Sequence, residues 1–308
     1  MSKGDLVVVG SVAYDDVETA AGRKSDLLGG AATYFSMAAS LLAHPRLVGV
    51  VGRDFADRDR ALLAGRGVDL DGLVTDETGD TFRWGGRYHA GGNHRTTLYT
   101  YLNVFQSFRP AVPETYRSAG YVFLANIDPA LQGDVLRQIE RPRFVGLDTM
   151  NFWIEGKRPE LLEVLRRVDA LVINDEESAL LTSRETIITS ARALQALGPR
   201  TVIIKRGEHG ALLVNHDDVF YVPGYPLETV VDPTGAGDTF AGGFMAWLAR
   251  TDDLSPENLR RAMITGSVLA SFCVEGFGTE RLQTLTLGEV RERYAAFVSL
   301  TSSPGLPL

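Results

Sequence analysis

Cysteine is nearly absent from this 308-residue chain: Cys273 stands alone. A single thiol excludes an intrachain disulfide framework and a cysteine-rich metal site, and it suits a reducing compartment. Positive charge is also short, with 31 basic against 39 acidic residues and a formal net charge of −8. A general nucleic-acid-binding surface is therefore not expected. Long apolar runs are missing as well. Leu6 to Val9 falls far below a membrane span, and Asp5, Asp15 and Asp16 break any signal-peptide pattern. No membrane association and cytoplasmic residence are the expectations. No internal repeat or linker is visible. What remains is 44% hydrophobic and 23% charged, enough for one sizeable core in a single domain over 1–308, with a Ser/Pro/Gly-rich tail at 301–308 expected to fray.

Apolar, strand-like runs recur at Leu6 to Val9, Leu47 to Val51, Tyr121 to Leu124, Phe144 to Leu147, Ala170 to Ile173, Thr201 to Ile204 and Asp218 to Val222. Helical spacing or good helix formers fill Tyr34 to Ala43, Glu160 to Val168, Ser190 to Leu197, Ala241 to Ala249, Pro256 to Phe272 and Gly288 to Leu300. Alternation of this kind predicts an α/β fold with a mostly parallel central sheet flanked by helices. One stretch departs from it. Residues 78–108 are rich in aromatics, Thr, Gly and Arg around Gly91, Gly92 and Asn93, which predicts a hairpin or small β lid, joined by part of 11–28. Period-two counting places Phe82, Trp84 and Tyr88 on one face of the first arm, and Tyr99 with Tyr101 on one face of the second. Such faces pack against one another, against a second subunit, or on a planar substrate ring.

The densest chemistry lies in Asp232 to Phe240, DPTGAGDTF. A glycine-rich turn here precedes a small-residue helix. The first N–H groups of a helix lack intrahelical partners and the macrodipole adds positive charge, so Gly235, Ala236 and Gly237 would stabilise an anion. Asp238 beside them has two readings of equal weight on residues alone: a helix cap, or a base that accepts the proton of an attacking alcohol. Two familiar motifs do not fit. A P-loop needs Lys and Ser or Thr after its last glycine, where Asp238 and Thr239 stand, and a dinucleotide fingerprint needs glycine where Phe240 stands.

Upstream, Ser11 to Asp15 follows the first strand, and Gly29-Gly30 opens the first helix-like segment. An early Asp, a Gly-Gly before a helix and a late GAGD together resemble the ribokinase or PfkB family of carbohydrate and nucleoside kinases, over nearly the whole chain. The resemblance implies a ribokinase-like fold with a β lid and an ATP-dependent phosphotransferase acting on a primary hydroxyl of a small polyol. It also implies Asp238 as general base and Gly235, Ala236 and Gly237 as the anion hole. Asp15, Gly29 and Gly30 would hold substrate hydroxyls. The family places an asparagine where this chain has Tyr34, so Tyr34 is a candidate substrate contact, and Asn126 is a further one.

By the same resemblance, Asn174 and Glu177 match an Asn-x-x-Glu element that positions Mg²⁺, through water, and phosphate. Asn followed three residues later by Glu is also a helix-capping box. Lys205, Gly207 and Gly210 resemble a nucleotide-contacting turn, with a solvated Lys-Arg pair as the plain alternative. Asp232 and Thr234 match positions that hold K⁺ in some members, aided by carbonyls of a strand-end loop at Val274 to Thr279. The implied cofactors are ATP, Mg²⁺ and, in that reading, K⁺. The partner is a small molecule, with a homodimer through the lid as in some relatives. Tyr34 and the aromatic lid favour a nucleoside, through its ribosyl 5′-hydroxyl, over a free sugar or sugar phosphate. A non-catalytic nucleotide or sugar sensor is the rival from another class, and a dinucleotide-dependent oxidoreductase is opposed by Phe240.

Overall fold

The computed structural model describes residues 5–89 and 95–302. The hairpin centre expected at Gly91, Gly92 and Asn93 and the tail residues 303–308 lie outside them. A nine-stranded sheet runs β13 (Asp218–Val222), β12 (Ala211–Asn215), β11 (Thr201–Lys205), β10 (Ala170–Asn174), β9 (Phe144–Asp148), β8 (Tyr121–Leu124), β1 (Asp5–Val9), β4 (His44–Gly52) and β5 (Asp69–Asp76). From β5 to β11 every pairing is parallel, and only β12 runs against its neighbours.

Helices cover both faces, which is why the strands read as unbroken apolar runs. Alternate residues split between two cores. Leu6, Val8 and Phe123 join Phe35, Phe244 and Leu269 on one side, while Val7, Val9, Val122 and Leu124 join Val135, Leu161 and Leu194 on the other. Each fully buried Val, Leu or Phe contributes about 1.5–3 kcal/mol relative to exposure. Among the described residues no helix is long and apolar enough to cross a membrane.

A second sheet has the order β3 (Gly22–Gly29), β2 (Ala13–Thr19), β6 (Phe82–Tyr88) and β7 (Arg95–Tyr101). Tyr99 and Tyr101 stack, with centroids 4.8 Å apart. The other aromatic face differs from the period-two expectation. Trp84 and Tyr88 pack on Val17, Leu27 and Phe277, whereas Phe82 stacks on Phe105 at 5.4 Å. A bulge at Gly85 and Gly86 breaks the register of β6 against β7, yet Trp84 and Tyr88 on either side of it share one cluster; it is Phe82, the first residue of the strand, that turns to Phe105 instead.

Three expected boundaries are corrected. The first helix is Ala31–Ala39 rather than Tyr34 to Ala43, because Gly30, at φ 91°, turns the chain directly into it. The C-terminal helix, Leu287–Thr301, takes in the first residue of the expected tail. Val274 to Thr279 follows the helix Pro256–Cys273, so it is not a strand-end loop.

Candidate active site

The parallel strands end on one edge of the sheet, where ligand crevices of open α/β sheets lie. In sheet order that edge carries Lys205 at the end of β11, Asn174 at β10, Asp148 at β9 and Asn126 just past β8; beyond β1 the chain turns through Ser11 into Asp15 on β2. Helix Ala236–Thr251 presents its N-terminus and Asp238 to the same place.

Its first turn is built by Asp232. The fully buried carboxylate accepts the Thr234 and Gly278 N–H groups, both at 2.8 Å, and the Val274 carbonyl accepts the Val231 N–H at 2.8 Å. Those bonds lock the segment against the loop after Cys273, and Thr234 Oγ1 donates to Tyr88 Oη of the small sheet at 3.2 Å. Gly235 is the cap residue, at φ 73°, and has no side chain to cap with. Asp238 is therefore not the cap. Of the three expected amide donors, Ala236 N–H is already engaged, at 3.3 Å, with the Pro233 carbonyl. Burial, then Asp148, pushes the Asp238 carboxyl up to about 7, against the pull of Lys205 and Arg95.

Tyr34 lies against this turn. It is 1% exposed, and a Cβ on Gly235 would come within 2.3 Å of its ring. Its hydroxyl is buried without a hydrogen-bond partner. Burial first, then Asp15 and Asp232, holds its pKa well above the usual phenol range, so the ring stays neutral. Tyr34 thus packs on the Gly235 turn within electrostatic reach of Asp15.

Asp15 is 4% exposed. Burial first, then Asp232, raises it to about 8, with the Gly30 N–H bond opposing. Its carboxylate presses on Gly29, where a Cβ would sit 2.0 Å from Oδ2. Glycine at that position is thus required by the carboxylate itself. Asn126 joins the site at the next strand end, but both its polar ends are taken: Oδ1 accepts the Trp153 indole N–H at 2.9 Å, and Nδ2 reaches Met150 Sδ at 3.2 Å.

At the other end, Asn174 and Glu177 form a reciprocal capping box, Asn174 Oδ1 accepting Glu177 N–H at 2.7 Å and Glu177 Oε2 accepting Asn174 N–H at 3.0 Å. The plain reading of that spacing is met, and it leaves Glu177 Oε1 for other work. Burial, then Asp148, raises Glu177 to about 7. Lys205 is not a solvated surface cation. Its Nζ pairs with Asp148 Oδ2 at 3.2 Å and lies where a Cβ on Gly237 would come within 2.8 Å of it. Burial lowers its pKa, but Asp148, Glu177 and Asp238 outweigh burial and raise it. Gly207 and Gly210, at φ 52° and 95°, bracket a single 3-10 turn. A Cβ on Gly210 would meet the Val222 carbonyl at 2.0 Å, so packing alone requires that glycine.

Comparison with known proteins decides between the readings of this edge. The model of the pfkB family of carbohydrate kinases matches residues 3–285. The chain belongs to that family. It is 34% identical over 254 residues to the cytidine kinase of Thermococcus kodakarensis, covering 80% of this chain and 89% of that one. It is 30% identical over 312 residues to the nucleoside kinase of Methanothermobacter thermautotrophicus, covering 95% and 96%. Among solved structures, an E. coli protein assigned as a ribokinase II, in complex with ATP and Mg²⁺, superposes with a TM-score of 0.78 at 20% identity, covering 95% and 99%. The ribokinase-like fold and an ATP-dependent kinase follow.

At this edge of the pfkB-family kinase two groups escaped sequence reasoning. Asp148 ends the apolar run Phe144 to Leu147, and a carboxylate terminating a buried parallel strand is the signal that was there to use. Arg95 follows the expected hairpin centre. It lowers the pKa of both Asp238 and Glu177 and acts on Tyr88, so the small sheet delivers a cation to the site.

Proposed function

We propose that this kinase transfers the γ-phosphoryl group of ATP to a primary hydroxyl of a small polyol, a nucleoside through its ribosyl 5′-hydroxyl, with a free sugar or sugar phosphate as the alternative. The observation that carries the proposal is Asp238: a half-buried carboxyl held near 7, one turn into a glycine-opened helix and flanked by Lys205. A base poised near neutral pH has both the affinity to take an alcohol proton and the population to do so. Asp15 would bind adjacent hydroxyls of the acceptor, with Gly29 and Gly30 admitting the sugar and Tyr34 as wall. The Gly235 and Gly237 amides would stabilise charge on the transferred group, beside the already engaged Ala236. Lys205, Gly207, Gly210 and Asn174 would face the nucleotide.

Supporting a nucleoside are the two relatives named as cytidine kinase and nucleoside kinase and the aromatic pair Phe152 and Trp153 beside Asn126, Phe152 being 63% exposed. An exposed aromatic next to the substrate end suits a planar base.

ATP, when bound, supplies the phosphoryl group. The carboxylates of Asp148, Glu177 and Asp238 outnumber the Lys205 ammonium and the Arg95 guanidinium that act on them, which leaves room for a divalent cation. Among the described residues no three such side chains converge enough to hold a metal alone. Mg²⁺ would be held by nucleotide oxygens and by Glu177 and Asn174 through water, as its tight hydration favours. A K⁺ near Asp232 and Thr234 would rely on backbone carbonyls, since the Asp232 carboxylate already accepts two N–H groups. We further propose one kinase domain over 1–308 with the four-stranded sheet as its lid, cytoplasmic residence, and a homodimer through edge strand β7, where Leu98 and Tyr101 are exposed.

The test is a coupled assay with ATP and Mg²⁺ against nucleosides, pentoses, hexoses and sugar phosphates. Turnover on nucleosides above the other classes is expected; sugars outpacing nucleosides would reverse the preference, and no transfer to any acceptor would sink the kinase assignment.

A further inference from the structure

Lys205 is part-buried, its side chain 18% exposed, and Asp148, Glu177 and Asp238 all act on it. An ammonium in that company pairs with the carboxylate held nearest, and the choice decides whether Asp238 stays free to accept a proton. Among the ion pairs of the described residues its partner is Asp148, Nζ to Oδ2 at 3.2 Å, with Asp148 buried and the lysine side chain part-buried. Asp148 cannot follow the lysine if the lysine moves. Its Oδ1 accepts the Thr149 N–H at 2.7 Å, and its carbonyl accepts Gln132 Nε2 at 3.0 Å. Gln132 is itself buried and grips the Ala125 carbonyl at 3.0 Å, clipping the ends of β8 and β9 together. The carboxylate is thus a fixed anchor on β9, and it parks the ammonium against Gly237, at the mouth of the anion hole.

We propose that Asp148 is a positioning residue that holds Lys205 Nζ against Gly237 and away from Asp238 until a nucleotide phosphate takes the ammonium over. The inference rests on reading this edge as the phosphate end of a kinase. Polyphosphate offers the lysine more charge and more acceptor oxygens than one carboxylate oxygen, so the exchange runs toward the ligand. After it, Asp148 keeps its bond from Thr149. Without Asp148 the ammonium is no longer parked, and the nucleotide takes it over without first displacing the β9 carboxylate.

The experiment pairs calorimetric titration of ATP and Mg²⁺ without acceptor with steady-state kinetics on Asp148→Asn, which keeps the shape and removes the charge. ATP is expected to bind about three- to tenfold more tightly, because a competing anion is gone, and KM for ATP should fall in step. Lys205→Met should weaken ATP binding about tenfold, and adding Asp148→Asn to it should change affinity by less than about twofold, since Asp148 acts through the lysine. Weaker ATP binding in Asp148→Asn, restored by raised Mg²⁺, would make Asp148 a metal-side group and overturn the proposal. So would an equal effect of the substitution with and without Lys205. If the asparagine variant does not fold, Asp148→Ser is read in the same way. A wild type that binds ATP but phosphorylates no acceptor would defeat the kinase reading, and the binding arms would still report on Asp148.

Discussion

A carboxylate beside the proposed anion hole would repel the phosphate bound there, so its presence needs a task. At Asp238 the structure removes the structural alternative, since Gly235 caps the helix and Asp238 sits in the turn that follows. Asp238→Asn should lower kcat by about 10²–10⁴-fold, the usual reach of general base catalysis, while ATP affinity measured without acceptor holds or improves. Loss of ATP binding in step with kcat would instead make Asp238 a ligand-binding group. The base must be ionised to work. With its carboxyl raised to about 7, kcat in the wild type should climb as pH rises through that value and level off above it. A flat profile from pH 5.5 to 8.5 would assign the proton acceptor elsewhere.

Elements carry constraints that single residues do not. The Ala236–Thr251 helix meets the Ala31–Ala39 helix where the Tyr34 ring covers Gly235, and Gly235 also holds a left-handed φ of 73°. Gly235→Ala asks for both a strained backbone and a contact of 2.3 Å with a buried ring. A loss of at least about 2 kcal/mol is expected from the strain and the clash together, read by urea denaturation, and an unchanged midpoint would mean that Tyr34 moves aside freely. Tyr34 itself shows what a sequence conceals. Its position after Gly-Gly was legible as a departure from the family pattern, but its place on the far helix's glycine is a tertiary contact between residues 34 and 235, and no local pattern reports it.

The central strands were legible because burial on both faces writes them as apolar runs, and Tyr121–Leu124 matches to the residue; the edge strand Asp218–Val222, half-exposed, matches too, through its run of Val, Phe and Tyr. The bulge at Gly85 and Gly86 was not, since a glycine pair in a strand signals several irregularities alike. Asp15, Gly29-Gly30, Lys205 and the GAGD turn could be picked out by type and order. Asp148 could not, because it becomes informative only once β9 is placed two strands from Lys205 and the long side chain is seen to bridge the gap.

At the scale of the whole molecule, the site is assembled at the expense of stability. Asp15 near 8, Asp238 near 7 and Glu177 near 7 each bind protons more tightly in the folded chain than free carboxylates do, chiefly because they are buried. The sign follows from linkage: a raised carboxyl pKa contributes stability that is fully present below about 4, and that contribution is lost as pH rises toward the folded values of 7 to 8. The ligand-free protein should therefore unfold at a lower temperature at pH 8.5 than at pH 5.5. Asp15→Asn, which removes the charge while keeping the shape, should narrow that difference and raise stability at pH 8.5 by about 1–3 kcal/mol, an order of magnitude set by the size of the shift. Mg²⁺ and ATP should reverse the trend in the wild type, because cations neutralise the Asp238 and Glu177 end and binding to the folded state stabilises it by mass action. Thermal melts across this pH range, with and without ligand and in both proteins, decide the matter. Equal melting of wild type and Asp15→Asn at every pH would show that Asp15 is ionised at no cost in the folded chain, and the buried-carboxylate account of this site would fail with it.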